Sequence, residues 1–440
     1  MSPTNKAPLA NIILAACSAR WHFHQGTSIN AALQRALANV TPENRPTAQA
    51  IIYNGLRSQA LIEAIIDELT QRPPELLVRC LLEASLACLL LDSFSDFTVV
   101  SQAVNAAKSI EGTKFSAGFV NAILRNFLRK KEEILQRLNK IPSVRFNAPD
   151  WWIRKMQKAA PEQWEAILSL QMQRPPMTLR VNVQHHNVEQ YQAILKEKGI
   201  KSRIVGQEAL TLETPVNVDE LPGFDKGWCS VQDAGTQLAA HWLPVKAGDR
   251  VLDACSAPGG KTCHLLERYS CDLTALELDP QRTKKIHENL QRIGLKATVK
   301  TANALDLHDW WDNKPFDAIL LDAPCSASGV VRRQPDTQWL RRASDIDSLA
   351  KTQRQLLNRL WSVLKPQGYL LYATCSLFPE EGKNQIEAFL AQHKDAKLID
   401  LPGLKQGMIL LYPEEKSPNL KEDSLPEVHD GFFYALLKKD

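Results

Sequence analysis

From Gln232 onward, short apolar runs alternate with helix-length segments, and this alternation constrains the fold more than any other feature of the chain. Runs at Arg250 to Ala254, Leu273 to Leu278, Thr298 to Ala302, Ala318 to Asp322 and Tyr369 to Ala373 are too short for helices and are spaced as βαβ units require. Gly431 to Leu437 reads as a closing strand. Such a pattern predicts an α/β fold, a doubly wound and mostly parallel sheet. Right-handed crossovers then bring the loops after the strands to one edge. Ligands bind outside the carboxyl ends of parallel strands, so function is expected in those loops.

The rest of the chain divides by character. With 440 residues it exceeds the size at which one core usually stops growing, and three domains are expected: residues 1–140 all-helical, 141–230 a small α+β connector, and 231–440 the α/β domain. The helical reading runs from about Ala7 to Leu138, with Val120, Ile123, Leu124, Phe127 and Leu128 on one helix face. Arg125, Arg129, Lys130 and Lys131 read as a basic cluster in that same helix. In the connector, prolines 142, 149, 161, 175 and 176 break the chain into short pieces before an alternating strand, Met177 to Val183. A helix over Val188 to Lys198 and strands at Ser202 to Val205 and Ala209 to Leu212 should follow.

Several classes are disfavoured. The longest apolar run, Leu81 to Leu91, is interrupted by Glu83 and Ser85 and is too short to span a bilayer, so no membrane is expected. Lys6 is not followed by the apolar core of a secretory signal; a cytoplasmic location is expected. Nine cysteines are scattered, without a Cys-x-x-Cys pair, and His185-His186 stands alone, so neither disulfides nor a metal are expected. A net charge of +4 is small, but Arg332, Arg333, Arg341 and Arg342 cluster just past Cys325. A monomer is expected.

Three junctions carry the chemistry. Val251-Leu252-Asp253-Ala254-Cys255-Ser256-Ala257-Pro258-Gly259-Gly260-Lys261-Thr262 runs from a strand through a glycine turn into a helix. It is not a triphosphate loop, which needs a glycine five places before Gly260 where this chain has Cys255. The G-x-G-x-x-G fingerprint is absent as well. A turn without Cβ atoms admits a ligand close to the backbone, and Glu277, about twenty residues on at a strand end, suits vicinal ribose hydroxyls. Asp279, before Pro280, is the alternative, though it also reads as a helix cap. The other two junctions, Asp322-Ala323-Pro324-Cys325-Ser326 and Ala373-Thr374-Cys375-Ser376, each put a cysteine just after a strand.

In order and spacing these motifs resemble the RNA cytosine-5 methyltransferases of the NOL1/NOP2/Sun family, a resemblance covering the carboxyl-terminal half. Gly118-Phe119-Val120-Asn121-Ala122-Ile123-Leu124-Arg125 resembles the closing helix of the NusB-like RNA-binding fold. Together they imply a Rossmann-like methyltransferase domain behind a NusB-like module, with 16S ribosomal RNA as the partner. Transfer RNA remains an alternative within the class. The family implies S-adenosylmethionine, held by Ala254, Cys255, Ser256, Ala257, Pro258, Gly259 and Gly260, by Glu277 on the ribose, and by side chains at Asn303 and Asp322. The family commonly has an Asp where this chain has Asn303, which loses the stronger charged acceptor; Asp306 is a substitute.

Carbon 5 of cytosine is a weak nucleophile, and a thiolate added at carbon 6 loads electron density onto it. The resemblance assigns attack to Cys375 and release to Cys325; from the residues alone either order is open. Asp322 is expected to face the ring and Lys261 to supply a positive charge, the alternative for Lys261 being a surface role. An unpaired or extruded base is required. Arg332, Arg333, Arg341 and Arg342 are expected on phosphates, with Trp339 either stacked on a base or buried. Gly329 is read as permitting a bend, and Cys255, apart from its place in the cofactor loop, as a small apolar filler like Cys263. Rival readings are a non-catalytic RNA-binding factor and a thiol redox protein using Cys325 and Cys375.

Overall fold

The computed structural model describes residues 9–415 and 425–440; Lys6 and Ala7, used above, lie outside them. The chain forms two compact units, the first reaching Gln173 and including Val331–Arg341, the second comprising Arg174–Val330 and the chain from Arg342 onward. No helix of the described residues is long and apolar enough to cross a membrane.

The first unit is helical: Leu9–His24, Ile29–Leu37, Arg45–Arg57, Gln59–Leu69, Leu76–Leu90, Asp96–Ser109, Ala117–Arg129 and Lys131–Leu138 are followed by three more helices, Pro142–Arg145, Asp150–Ala159 and Trp164–Gln171. Leu76–Leu90 is the central one, with Val78, Leu81, Leu82, Leu86 and Leu89 all buried. Its Glu83 is buried too, bonded by Arg20 at 2.8 Å and His24 at 3.0 Å. Burial opposes that charge, but Arg20 and His24 prevail and hold the carboxyl down at about 2. The expected apolar stripe is present in Ala117–Arg129, where Val120, Ile123, Leu124 and Phe127 are buried. The basic cluster does not share that helix: Lys130 leaves helical geometry and Lys131 opens the next one.

Val331–Arg341 is bound into this helical unit. Asp336 accepts from the Ile29 amide at 2.8 Å, the Gln338 amide donates to the Asn147 carbonyl at 2.7 Å, and Trp339 and Leu340 pack on the helical core. One expectation is corrected by this, for Arg332, and of the two readings of Trp339 the packed one is observed. Arg332 is fully buried, so it does not face phosphates, and Trp339 is packed against the core instead of being offered to a base. Arg333 and Arg341 are half-buried, and Arg342 is exposed.

The second unit opens with a four-stranded antiparallel sheet built from β1 (Met177–Val181), β2 (Ser202–Ile204), β3 (Ala209–Leu212) and β4 (Cys229–Val231), in the order β2-β3-β1-β4. Strand β1 stops before Val183 because Asn182 turns the chain, accepting from the Gln184 amide and donating to the Gly227 carbonyl. Helix Val188–Glu197 lies between β1 and β2 in sequence and starts on a reciprocal cap from Asn187 and Gln190.

The large sheet holds β5 (Arg250–Ala254), β6 (Asp272–Glu277), β7 (Thr298–Thr301), β8 (Phe316–Asp322), β9 (Leu364–Thr374), β10 (Ala396–Leu398), β11 (Met408–Leu411) and β14 (Phe432–Lys439); β12 (Glu414–Glu415) and β13 (Val428–His429) pair separately. Its order is β10-β14-β9-β8-β5-β6-β7, with β11 also on β14. β7, β6, β5, β8 and β9 run parallel, and β14 lies antiparallel to β9. The doubly wound, mostly parallel fold class is therefore present. Buried side chains fill both faces, Leu320, Leu371 and Tyr434 on one and Ile319, Leu321 and Tyr372 on the other. Strand order reverses between β5 and β8, so the crevice opens beyond Ala254 and Asp322.

Candidate active site

The turn after β5 is held by its own backbone and by β6. Ser256 donates from both its amide and its hydroxyl to the Leu276 carbonyl, at 2.8 and 2.9 Å. Cys255 takes a left-handed φ of 66°, and Gly259 one of 97°. A Cβ at Gly259 would stand 3.2 Å from the Ile286 backbone, so glycine is required there by conformation and by space. Gly260 opens helix Gly260–Arg268. The Ala257 and Pro258 carbonyls accept from Arg282 and Asn289, leaving Ala254 to Gly260 as a fixed cradle.

At the end of β6, Glu277 is buried, accepting from the Ala257 amide at 3.2 Å and the Asp279 amide at 3.1 Å. Asp279 is committed to capping the next helix, where it accepts from the Gln281 amide at 2.7 Å. Of the two carboxylates, Glu277 is the one set against the turn. Asn303 is half-buried beyond β7, its amide donating to Asp306 at 2.8 Å and its oxygen accepting from the Leu305 amide.

Lys261 and Asp322 meet in an ion pair of 2.6 Å. Burial alone would pull the Lys261 ammonium down, but Asp322 and the field of Cys375 outweigh it and the pKa is raised. The sulfurs of Cys325 and Cys375 lie 3.4 Å apart. Cys375 is partly exposed and Cys325 buried. The hydrogen bond to Cys375 pushes the Cys325 thiol well above its ordinary value, assisted by burial and by the fields of Cys375 and Glu381. The structure brings the four expected catalytic side chains together at the ends of β8, β9 and the glycine turn.

Family models match along the whole arrangement: 16S rRNA methyltransferase RsmB/F over residues 240–438, an RsmF/B-like ferredoxin-like domain over residues 148–219, and the NusB family over residues 9–129. The ribosomal RNA small subunit methyltransferase B of Vibrio cholerae is 39% identical, with 98% of each chain covered. The chain belongs to the ribosomal RNA small subunit methyltransferase B family. The Shigella sonnei member of that family is 38% identical over 97% of this chain and 98% of its own. Among solved structures, PH0851 superposes with a TM-score of 0.79 at 25% identity, covering 98% of this chain and 99% of the other. A methyltransferase homologue from Pyrococcus horikoshii gives 0.56 at 28%, covering 68% and 97%.

Three side chains around this methyltransferase site were assigned no role from sequence. Asp253, buried at the end of β5, accepts from the Thr262 hydroxyl at 2.6 Å, and burial pushes its carboxyl up to about 7. Arg180 of β1 donates at 2.8 Å to the Gly260 carbonyl, which pins the start of the turn's helix. Glu381, in the short helical turn Pro379–Glu381, accepts from Ser326 and Ser376, the residues that follow the two cysteines. Gly329 has a different reason from the one expected: a Cβ there would fall 2.2 Å from the Gly431 carbonyl oxygen, so the position is set by close backbone approach.

Proposed function

We propose that this enzyme transfers a methyl group from S-adenosylmethionine to carbon 5 of a cytosine in 16S ribosomal RNA through a transient bond between Cys375 and carbon 6. The observation that carries the reading is the pair of sulfurs 3.4 Å apart beside the Lys261–Asp322 ion pair, all at the ends of parallel strands. The residues around the turn fit the cofactor. Glu277 accepts from two backbone amides and, at 3.5 Å, from Arg282, and of its roughly four acceptor directions one remains for a ribose hydroxyl. Ala254 to Gly260 would line its methionine and ribose portions, with Asn303 at the adenine and Asp322 near the reacting end. Bound there, S-adenosylmethionine supplies an electrophilic methyl carbon.

Cys375, the more exposed sulfur, adds to carbon 6, and the electron pair displaced from the carbon 5–carbon 6 bond makes carbon 5 nucleophilic. Asp322 hydrogen-bonds the polar edge of the ring, while the Lys261 charge offsets the negative charge arriving there. After methyl transfer the carbon 5 proton passes to a base, the role given to Cys325 in its thiolate form, its bonding pair restores the ring double bond, and Cys375 departs with the sulfur–carbon pair. Cys325 serves this second half. The base must be unstacked, at a cost of a few kcal/mol, so a loop or an opened helix in RNA is the target. Work on ribosomal RNA sets the enzyme in the cytoplasm.

The test is a denaturing gel of each variant with 16S RNA and S-adenosylmethionine. Cys325→Ala is expected to give a retarded protein–RNA band and Cys375→Ala none, with methyl transfer lost in Cys375→Ala. The reverse pattern exchanges the two roles, and no band in either variant rejects the covalent route. Bisulfite sequencing of 16S RNA from a deletion strain names the target by the 5-methylcytosine that disappears.

A further inference from the structure

The two cysteines sit on loops that leave different strands, β8 and β9. In the structure the loops converge on one side chain. Glu381 is fully buried. Its Oε1 accepts from the Ser326 amide at 2.8 Å and from Gln353 Nε2 at 3.1 Å; its Oε2 accepts from the Ser376 hydroxyl at 2.6 Å. Ser326 follows Cys325 directly, and Ser376 follows Cys375. The Glu381 carbonyl also takes the hydroxyls of Tyr372 at 2.9 Å and Thr374 at 3.3 Å, on the strand that delivers Cys375. Gln353 donates as well to the Pro324 carbonyl, just before Cys325.

We propose that Glu381 is the positioning residue of this reaction: by tying Ser326 and Ser376 to one buried carboxylate it holds the Cys325 and Cys375 sulfurs within proton-sharing distance. The inference rests on the covalent reading above and names what sets its geometry. A buried carboxylate is costly to desolvate, and its persistence here is explained by three donors, one from each cysteine loop and one, Gln353, from the helix Ala343–Trp361. The hydroxyls of Ser326, Ser328 and Ser376 lie 3.2 Å from one another, and Ser328 takes the Leu377 amide at 2.8 Å, so a shift at Glu381 propagates through both loops. Without it, the two loops keep the serine contacts and the bond from the Gly329 amide to the Cys375 carbonyl at 2.9 Å, and the sulfur-to-sulfur distance is less closely fixed.

Glutamine separates position from charge. In Glu381→Gln the amide oxygen keeps the Ser326 and Gln353 donors, and the amide nitrogen donates to a Ser376 hydroxyl turned toward its serine neighbours. Alanine keeps neither tie. The direct readout is phenylarsine oxide, whose trivalent arsenic bonds two neighbouring thiols with loss of one water; bridging of Cys325 and Cys375 is read as the mass gained and the site located by peptide mapping. Expected for Glu381→Ala is loss of bridging and a fall in kcat of roughly 10²-fold, the scale of a misplaced reacting group. The KM for RNA and for S-adenosylmethionine should stay within about threefold, as uniform binding is untouched. Glu381→Gln should bridge arsenic like the parent and keep kcat within about tenfold.

Unimpaired bridging in Glu381→Ala overturns the inference, and so does a glutamine variant as impaired as the alanine one, since that would make charge the cause. If Glu381→Ala does not fold, Ser376→Ala removes the hydroxyl tie to Glu381, along with its contacts to Ser326, Ser328 and the Phe378 amide, and should slow bridging and lower kcat by about tenfold; no change in either refutes the role. The covalent reading fails separately, through absence of the Cys325→Ala adduct, an experiment that does not involve Glu381.

Discussion

Replacing Arg180 with alanine should damage this fold more than most single changes, because its charge is buried and shared among several acceptors. Its side chain and that of Glu267 are each only 1% exposed. The guanidinium donates to Glu267 at 2.8 and 2.6 Å, and to Gln232 at 2.7 Å and the Gly260 carbonyl at 2.8 Å. Arg180→Ala leaves the Glu267 carboxylate buried without its partner, a change that costs about 3–5 kcal/mol. For a body of this size that is a fall in Tm of roughly 10 °C. Changing both residues to methionine removes the charges together and should restore most of the loss. The pH dependence follows from Glu267, which burial pushes up from its ordinary 4.5 and Arg180 pulls back down. Without Arg180 the folded-state value rises further, so the native state binds the proton more tightly than the unfolded chain. Stability of the variant then falls as pH rises from about 4.5 through the folded value and returns in acid. Urea unfolding followed by tryptophan fluorescence at pH 5 and pH 8 measures both effects. A deficit below about 1 kcal/mol, or one that does not shrink at pH 5, would refute the reasoning.

Gly329→Ala places a methyl group against the Gly431 backbone, which cannot swing aside as a side-chain end does. A destabilisation of about 1–3 kcal/mol and a lower kcat are expected, and unchanged values in unfolding and methyl-transfer assays would count against the packing argument. Asn303→Asp alone should leave S-adenosylmethionine affinity within about twofold of the parent, because the new carboxylate faces Asp306 across the 2.8 Å now spanned by the Asn303 amide. Asn303→Asp with Asp306→Asn frees the charged acceptor and should tighten binding by roughly tenfold in calorimetry; equal affinities for the two variants would contradict this account.

The architecture of the large sheet was legible because its inner strands are short, apolar and bounded by turns; β5 is expected and observed over the same residues, Arg250–Ala254. Strand β9 begins at Leu364, well before the expected Tyr369, because Pro366 and Gly368 look like breakers in sequence. The sheet absorbs them through a register shift opposite Phe316 and Ala318, with Gln367 at a φ of 64°. Edge strands β10 and β11 gave no signal, since each is half-buried and lacks clean alternation. Val331–Arg341 misled for another reason. The adjacent arginines read as a nucleic-acid face, yet Arg332 is buried, and burial is decided by partners distant in sequence.

The same reason explains which part of the candidate site stayed hidden. Cysteines, glycines and a strand-end carboxylate announce themselves because their chemistry is rare or their backbone needs are special. The groups that aim them do not. Glu381 is one of two consecutive glutamates after a proline, and Arg180 is one polar residue in an alternating strand; composition predicts solvent for both. Both are fully desolvated, and each bonds the backbone of a loop that carries chemistry: Arg180 the Gly260 carbonyl, Glu381 the Ser326 amide. Loops at strand ends are free to vary, so a reaction that needs two sulfurs and a cradle in fixed register requires bonds between loops. A buried charge accepting several donors supplies them with more directional restraint than apolar contact, because its desolvation is offset only when every donor is in place.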